Sequence, residues 1–119
     1  MKILIVDDSA LSRRILSKII AGENIQIIEA DNGLSAIELY SIEKPDVVFL
    51  DLNMPDLPGL EVLKNLKGID NQAKIVVATA DLQEITKKLA LEYGAHAIIN
   101  KPFDEKEILE LLNSFEKGK

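Results

Sequence analysis

The sequence predicts an α/β fold: one doubly wound parallel sheet with helices on both faces. Three observations carry that prediction. Short apolar runs alternate with segments whose apolar residues recur every three to four positions, five times along the 119 residues. The runs are apolar throughout, as strands covered on both faces require. Gly, Pro, Asp and Asn punctuate the gaps. The length suits a single domain, 1–119, able to bury a core without disulfides. No linker, repeat or low-complexity segment interrupts it.

Each element follows in order. Lys2 to Val6 is the first strand and ends at Asp7-Asp8. Ser9 caps a helix whose apolar stripe is Leu11, Ile15, Leu16 and Ile19, with Gly22 as its stop. Ile25 to Ile28 is the second strand, followed by the turn cluster Asp31-Asn32-Gly33. Ala36, Ile37 and Tyr40 mark the second helix, which must end before Pro45. Asp46 to Leu50 is the third strand, ending at Asp51, and a Pro/Gly-rich loop runs from Asn53 to Gly59. Leu60, Leu63 and Leu66 make a short helix closed near Gly68. Lys74 to Ala78 is the fourth strand, ending at Thr79. Leu82, Ile85, Leu89 and Tyr93 give the next helix, stopped by Gly94. Ala97 to Ile99 is the last strand, followed by Asn100-Lys101-Pro102. Ile108, Leu111, Leu112 and Phe115 line the final helix, with a frayed tail from Glu116.

Composition excludes several functions. There are 14 Lys+Arg against 20 Asp+Glu, a net charge of −6, which argues against a nucleic-acid binder. Zero cysteines exclude thiolate metal sites and thiol nucleophiles. No apolar stretch approaches the roughly 20 residues of a membrane span, and the N-terminus lacks a signal-peptide pattern. A cytoplasmic location with no membrane insertion is expected.

In open parallel sheets, ligands bind at the carboxyl ends of the strands. Those ends carry Asp7-Asp8, Asp51, Thr79 and Lys101. Singly, each has an ordinary explanation as a turn residue, cap or solvated side chain. Together they describe chemistry. Two unit charges about 4 Å apart repel by about 4 kcal/mol at an effective dielectric near 20. Three close carboxylates therefore call for a cation, and Mg²⁺ suits such a set. A carboxylate flanked by Mg²⁺, an ammonium and a hydroxyl can accept a phosphoryl group. There is no P-loop and no GxGxxG, so the donor is expected to be another protein or a small phosphodonor rather than a nucleotide.

With those residues in place, the sequence resembles the receiver domain of two-component response regulators along essentially its whole length. The matching stretches are Ile3 to Ser9, Pro45 to Pro55, Ala78-Thr79-Ala80 and Lys101-Pro102-Phe103. The resemblance implies a flavodoxin-like (βα)5 fold with strand order 2-1-3-4-5. It implies Asp51 as phosphoacceptor, with Asp7, Asp8, Asp51 and the Asn53 backbone carbonyl as Mg²⁺ ligands. Thr79 would be the switch hydroxyl, Lys101 would contact a phosphoryl oxygen, and Lys101-Pro102 would be a cis peptide.

Asn53 and Asp81 occupy the positions that tune phosphoryl lifetime in the family. Both are small and polar, and a short-lived phosphoaspartate is expected. The family places an aromatic residue three positions before the lysine, where this chain has Ile98. Ile98 is expected to pack under the last two helices, leaving the switch to Thr79 and loop ordering. His96 is expected to be an exposed loop residue. Arg13 and Arg14 are expected on a partner-docking face of the first helix.

The implied role is a stand-alone receiver that catalyses only its own phosphorylation and dephosphorylation. Its partners would be a histidine kinase and a downstream protein, either a flagellar motor switch protein or a phosphotransfer protein. The chemotaxis-like output leads, and a phosphorelay intermediate is the alternative. A Mg²⁺-dependent phosphatase is a further alternative. Such an enzyme normally has an acid/base Asp two residues past its nucleophile, where this chain has Asn53.

Overall fold

The computed structural model of the chain describes residues 1–80 and 83–117. The elements are β1 (Lys2–Val6), α1 (Ala10–Ile20), β2 (Gln26–Ala30), α2 (Gly33–Glu43), β3 (Val47–Asp51), α3 (Gly59–Ile69), β4 (Ile75–Thr79), α4 (Glu84–Glu92), β5 (Ala97–Asn100) and α5 (Glu105–Lys117). All strand pairs are parallel, in the order β2-β1-β3-β4-β5. Among the described residues no helix is long and apolar enough to cross a membrane.

The strand side chains alternate between two cores. Leu4, Val6, Val48, Leu50, Ile75 and Val77 face Ala36 and Tyr40 of α2, Val62, Leu63 and Leu66 of α3, and Ala90 of α4. Ile3, Ile5, Val47, Phe49, Val76 and Ala78 face Leu16 and Ile20 of α1, and Ile108, Leu112 and Phe115 of α5. This double burial is why β1, β3 and β4 read as nearly unbroken apolar runs, whereas the edge strand β2 leaves Gln26 and Glu29 exposed.

Local signals set the boundaries. The Ser9 side chain accepts from the Ser12 N–H at the start of α1, and Asn32 does the same for Ser35 at the start of α2. α2 ends at Glu43, and its C-cap Lys44 sits in the left-handed region at φ 48 just before Pro45. Gly94 has φ +102, and a Cβ there would lie 2.8 Å from the Lys67 side chain, so the turn into β5 needs glycine.

Several expectations are corrected. Of the expected α1 stripe, Leu16 is buried and Ile19 partly so, whereas Leu11 is 66% exposed and Ile15 44% exposed; the helix also buries Ile20, because that side faces the sheet and α5. α1 ends at Ile20 with Ala21 as its cap, before Gly22. The expected close of α3 near Gly68 holds to within a residue, the helix ending at Ile69. Ile85 of α4 is 60% exposed, the buried residue being Ala90, and Leu82 lies outside the described residues. α5 remains helical through Lys117, past the expected fraying point. Ile98 is half-buried against the α2–α3–α4 core, alongside Tyr93, and not under α5.

Candidate functional site

The parallel register brings the polar strand ends together. Val6 pairs with Leu50, so the next residues, Asp7 and Asp51, emerge side by side. Asp51 pairs with Ala78, which places Thr79 at the same edge, and Thr79 pairs with Asn100, which leads into Lys101. Asp7, Asp51 and Thr79 are the buried polar residues among those described, while Asp8 is exposed.

Asp7, Asp8 and Asp51 each offer a carboxylate oxygen within 4.8 Å of the other two. The Lys101 ammonium lies 2.7 Å from Asp7 Oδ2 and 3.6 Å from Asp51 Oδ1. One lysine thus partly neutralises two buried carboxylates. The second Asp7 oxygen accepts from the Ser9 N–H at 2.9 Å. Burial pushes the Asp51 carboxyl above the ordinary Asp range, which the Lys101 charge opposes and the Asp7 charge reinforces. The backbone N–H dipole of Asn53 near Asp51 acts in the same direction as Lys101.

Three oxygens at this spacing, one set of them solvent-facing, form an all-oxygen donor set for a small hard cation that keeps several waters. The Lys101-Pro102 peptide is cis. The Lys101 N–H donates to the Thr79 carbonyl at 2.9 Å, which ties the loop after β5 to the end of β4. Asn53 is exposed at the start of the β3–α3 loop. Asp81 lies outside the described residues.

Other residues fall elsewhere. Arg13 is not a free docking group. Its Nη1 donates to the Asp7 carbonyl at 2.6 Å and its Nε to Glu29 at 3.0 Å, clamping the first loop from the helix side. Arg14 is exposed on the face shared by Leu11 and Ile15. His96 is exposed, yet its ring stacks on Phe115 at 4.7 Å, which attaches the last strand to α5. Sequence reasoning missed Asp56. Its carboxylate accepts from the N–H groups of Gly33, Leu34 and Leu57. Its position in a Pro/Gly-rich loop signalled only a turn.

Residues 3–113 match the response regulator receiver domain family. The chain is 38% identical over 113 residues to the chemotaxis protein CheY of Bacillus subtilis, covering 94% of each chain. It is 36% identical to sporulation initiation phosphotransferase F of the same organism, covering 96% of this chain and 92% of that one. The solved CheX-CheY-BeF3-Mg²⁺ complex from Borrelia burgdorferi superposes with a TM-score of 0.90 at 32% identity, over 96% of this chain and 87% of that chain. With the family matched along nearly the whole length and the acidic strand ends gathered at one sheet edge, the chain belongs to the response regulator receiver domains.

Proposed function

We propose that the chain is a phosphorylation switch in which Asp51 accepts a phosphoryl group from a histidine kinase. The observation that carries this is the convergence of Asp7, Asp8, Asp51 and Lys101 at the carboxyl edge of the sheet. In the transfer, an Asp51 oxygen forms the new bond to phosphorus as the bond to the kinase histidine nitrogen breaks. Asp7, Asp8, Asp51 and the Asn53 carbonyl would hold Mg²⁺, which supplies positive charge to the phosphoryl oxygens. Lys101 is already within reach of Asp51 and supplies a second cation. Thr79, buried at the end of the neighbouring strand, supplies a hydroxyl to a phosphoryl oxygen. Charge-assisted hydrogen bonds of this kind are worth about 1.5–3 kcal/mol each. Two of them approach the roughly 5.5 kcal/mol that turns a 1:99 population into 99:1.

The exposed α1 face of Leu11, Arg14 and Ile15 flanks the site and is the kinase-facing surface in this reading. Output is by protein contact, with a flagellar motor switch protein as the leading target. The likeness to a sporulation phosphotransferase supports the second reading, relay to a histidine phosphotransfer domain. Binding to a motor switch protein, set against transfer to a phosphotransfer domain, separates the two.

The test uses acetyl phosphate with Mg²⁺ and intact-mass spectrometry, because the chain has no tryptophan to report by quenching. One phosphoryl group should be added to the wild type and none to Asp51→Asn. Labelling that persists in Asp51→Asn contradicts the assignment. A chase with EDTA reads the lifetime. Exposed Asn53 leaves water access to the group, so decay should be short, and survival for many hours would refute that part.

A further inference from the structure

We propose that Asp56 is a positioning residue for the metal site: seated on the N-terminus of α2, its carboxylate holds the β3–α3 loop, and with it the Asn53 backbone carbonyl, in the shape that the site requires. This rests on the reading above, in which that loop supplies a Mg²⁺ ligand through Asn53.

The loop is closed at its base. The Gly59 N–H donates to the Leu52 carbonyl at 2.9 Å. A Cβ on Gly59 would lie 2.3 Å from the Leu52 Cα, so only glycine permits the closure. Residues 53 to 58 lie between these ends and include Pro55 and Pro58, which have no N–H to give. Pro58, the N-cap of α3, makes no side-chain cap bond.

Asp56 supplies the anchor that the base does not. Its Oδ1 accepts from Gly33 N–H at 2.8 Å and from Leu57 N–H at 2.9 Å, and its Oδ2 accepts from Leu34 N–H at 2.9 Å. Gly33 and Leu34 are the first two residues of α2, whose N–H groups have no partner within the helix. The negative charge also meets the positive end of the helix dipole. These backbone donors, Gly33 first, hold the Asp56 carboxyl below the ordinary Asp range. The fit is close on the helix side too. A Cβ on Gly33 would lie 3.3 Å from Asp56 Oδ1, 3.1 Å from the Leu57 Cβ and 2.8 Å from a Val62 methyl.

The two caps on α2 separate loop positioning from helix stability. Asn32 accepts from Ser35 at the same helix end but has no bond to the β3–α3 loop. Loss of Asn32 therefore weakens the helix start alone, whereas loss of Asp56 also frees the loop.

The experiment is a Mg²⁺ titration of the unphosphorylated full chain, followed by calorimetry and amide NMR at low and high salt. The proteins are wild type, Asp56→Ala, Asp56→Asn, Asn32→Ala and Asp51→Asn. Supporting residues around a metal site typically carry 10–100-fold in affinity, so Asp56→Ala should bind about tenfold or more weakly. Asp56→Asn keeps an acceptor oxygen and should lose about threefold, with Asn32→Ala within about twofold of wild type. Gly33 and Leu34 amides should exchange faster in Asp56→Ala.

Parity of Asp56→Ala with wild type overturns the inference. So does an equal loss in Asp56→Ala and Asp56→Asn that disappears at high salt, since charge alone would then explain it. An equal loss in Asn32→Ala would also overturn it. If Asp56→Ala does not fold, Asp56→Asn at high salt decides, parity with wild type again being negative. Wild type that binds no Mg²⁺, or binding undiminished in Asp51→Asn, overturns the reading of the site itself and the role of Asp56 with it.

Discussion

Asp51 is a buried carboxylate set beside two others, and that placement opposes its own ionisation. Its raised pKa has a stability consequence. The folded state takes up a proton on Asp51 more readily than the unfolded chain does. Acidification through the folded pKa therefore gains stability from this group, and above that pKa the charged form costs stability. Asp51→Asn removes the charge and keeps a polar side chain of the same shape, while Lys101 retains Asp7 at 2.7 Å. Without Mg²⁺ at neutral pH, Asp51→Asn should be more stable by on the order of 1 kcal/mol, a few degrees in melting temperature. Calorimetry of the two proteins in EDTA tests this, and a destabilised variant would contradict it. The same residue scale shows what could be read in advance. Asp7, Asp8 and Asp51 were legible because each closes an apolar run. The bonds of Asp56 and Arg13 were not, because their partners lie 22–23 and 16 residues away along the chain. Only the folded path brings them together.

At the scale of elements, helical spacing located α1 but drew its apolar stripe too wide. It joined Leu11 and Ile15 to Leu16 and Ile19, whereas the fold separates the two pairs, with Ile20 beside the second. Spacing alone does not choose between them; packing against the sheet and α5 buries the second. The strands carried no such ambiguity, since both faces are covered. α2 and α3 are joined by a bond that sequence spacing could not reveal. The buried Tyr40 hydroxyl donates to Asp70, the C-cap of α3, at 2.9 Å. Burial, that hydrogen bond and the Asp70 charge push the Tyr40 pKa up to about 12. The unfolded tyrosine ionises near pH 10. The stabilisation is thus fully present below about pH 10 and is lost as pH rises from there to about 12. Tyr40→Phe should cost about 1 kcal/mol at neutral pH. Its deficit against wild type should close across that alkaline window. Urea unfolding at stepped pH measures both, and a deficit independent of pH would contradict the linkage.

At the scale of the whole molecule, one sheet serves two cores, and the site sits on the edge that both share. The βα alternation and double-sided burial were legible from apolar runs and turn residues. The strand order was not contained in that alternation and came with the family resemblance. Asp7 follows β1, Asp51 ends β3 and Lys101 follows β5, so a ligand held by all three ties the central strands to the edge strand β5. Binding there should stabilise both cores together rather than one layer. Mg²⁺ with beryllofluoride should therefore raise a single unfolding transition. At 100 times the dissociation constant the gain is about 2.7 kcal/mol, or about 10 °C for a domain of this size. The shift should grow with the logarithm of ligand concentration in wild type and be nearly absent in Asp51→Asn. Near-ultraviolet circular dichroism follows aromatic packing on both sides of the sheet, since Tyr40 lies in one core and Phe49 and Phe115 in the other. Far-ultraviolet melting should coincide with it at every ligand concentration. Two separable transitions, only one of them moved by ligand, would show that the layers melt independently and that the site does not span them.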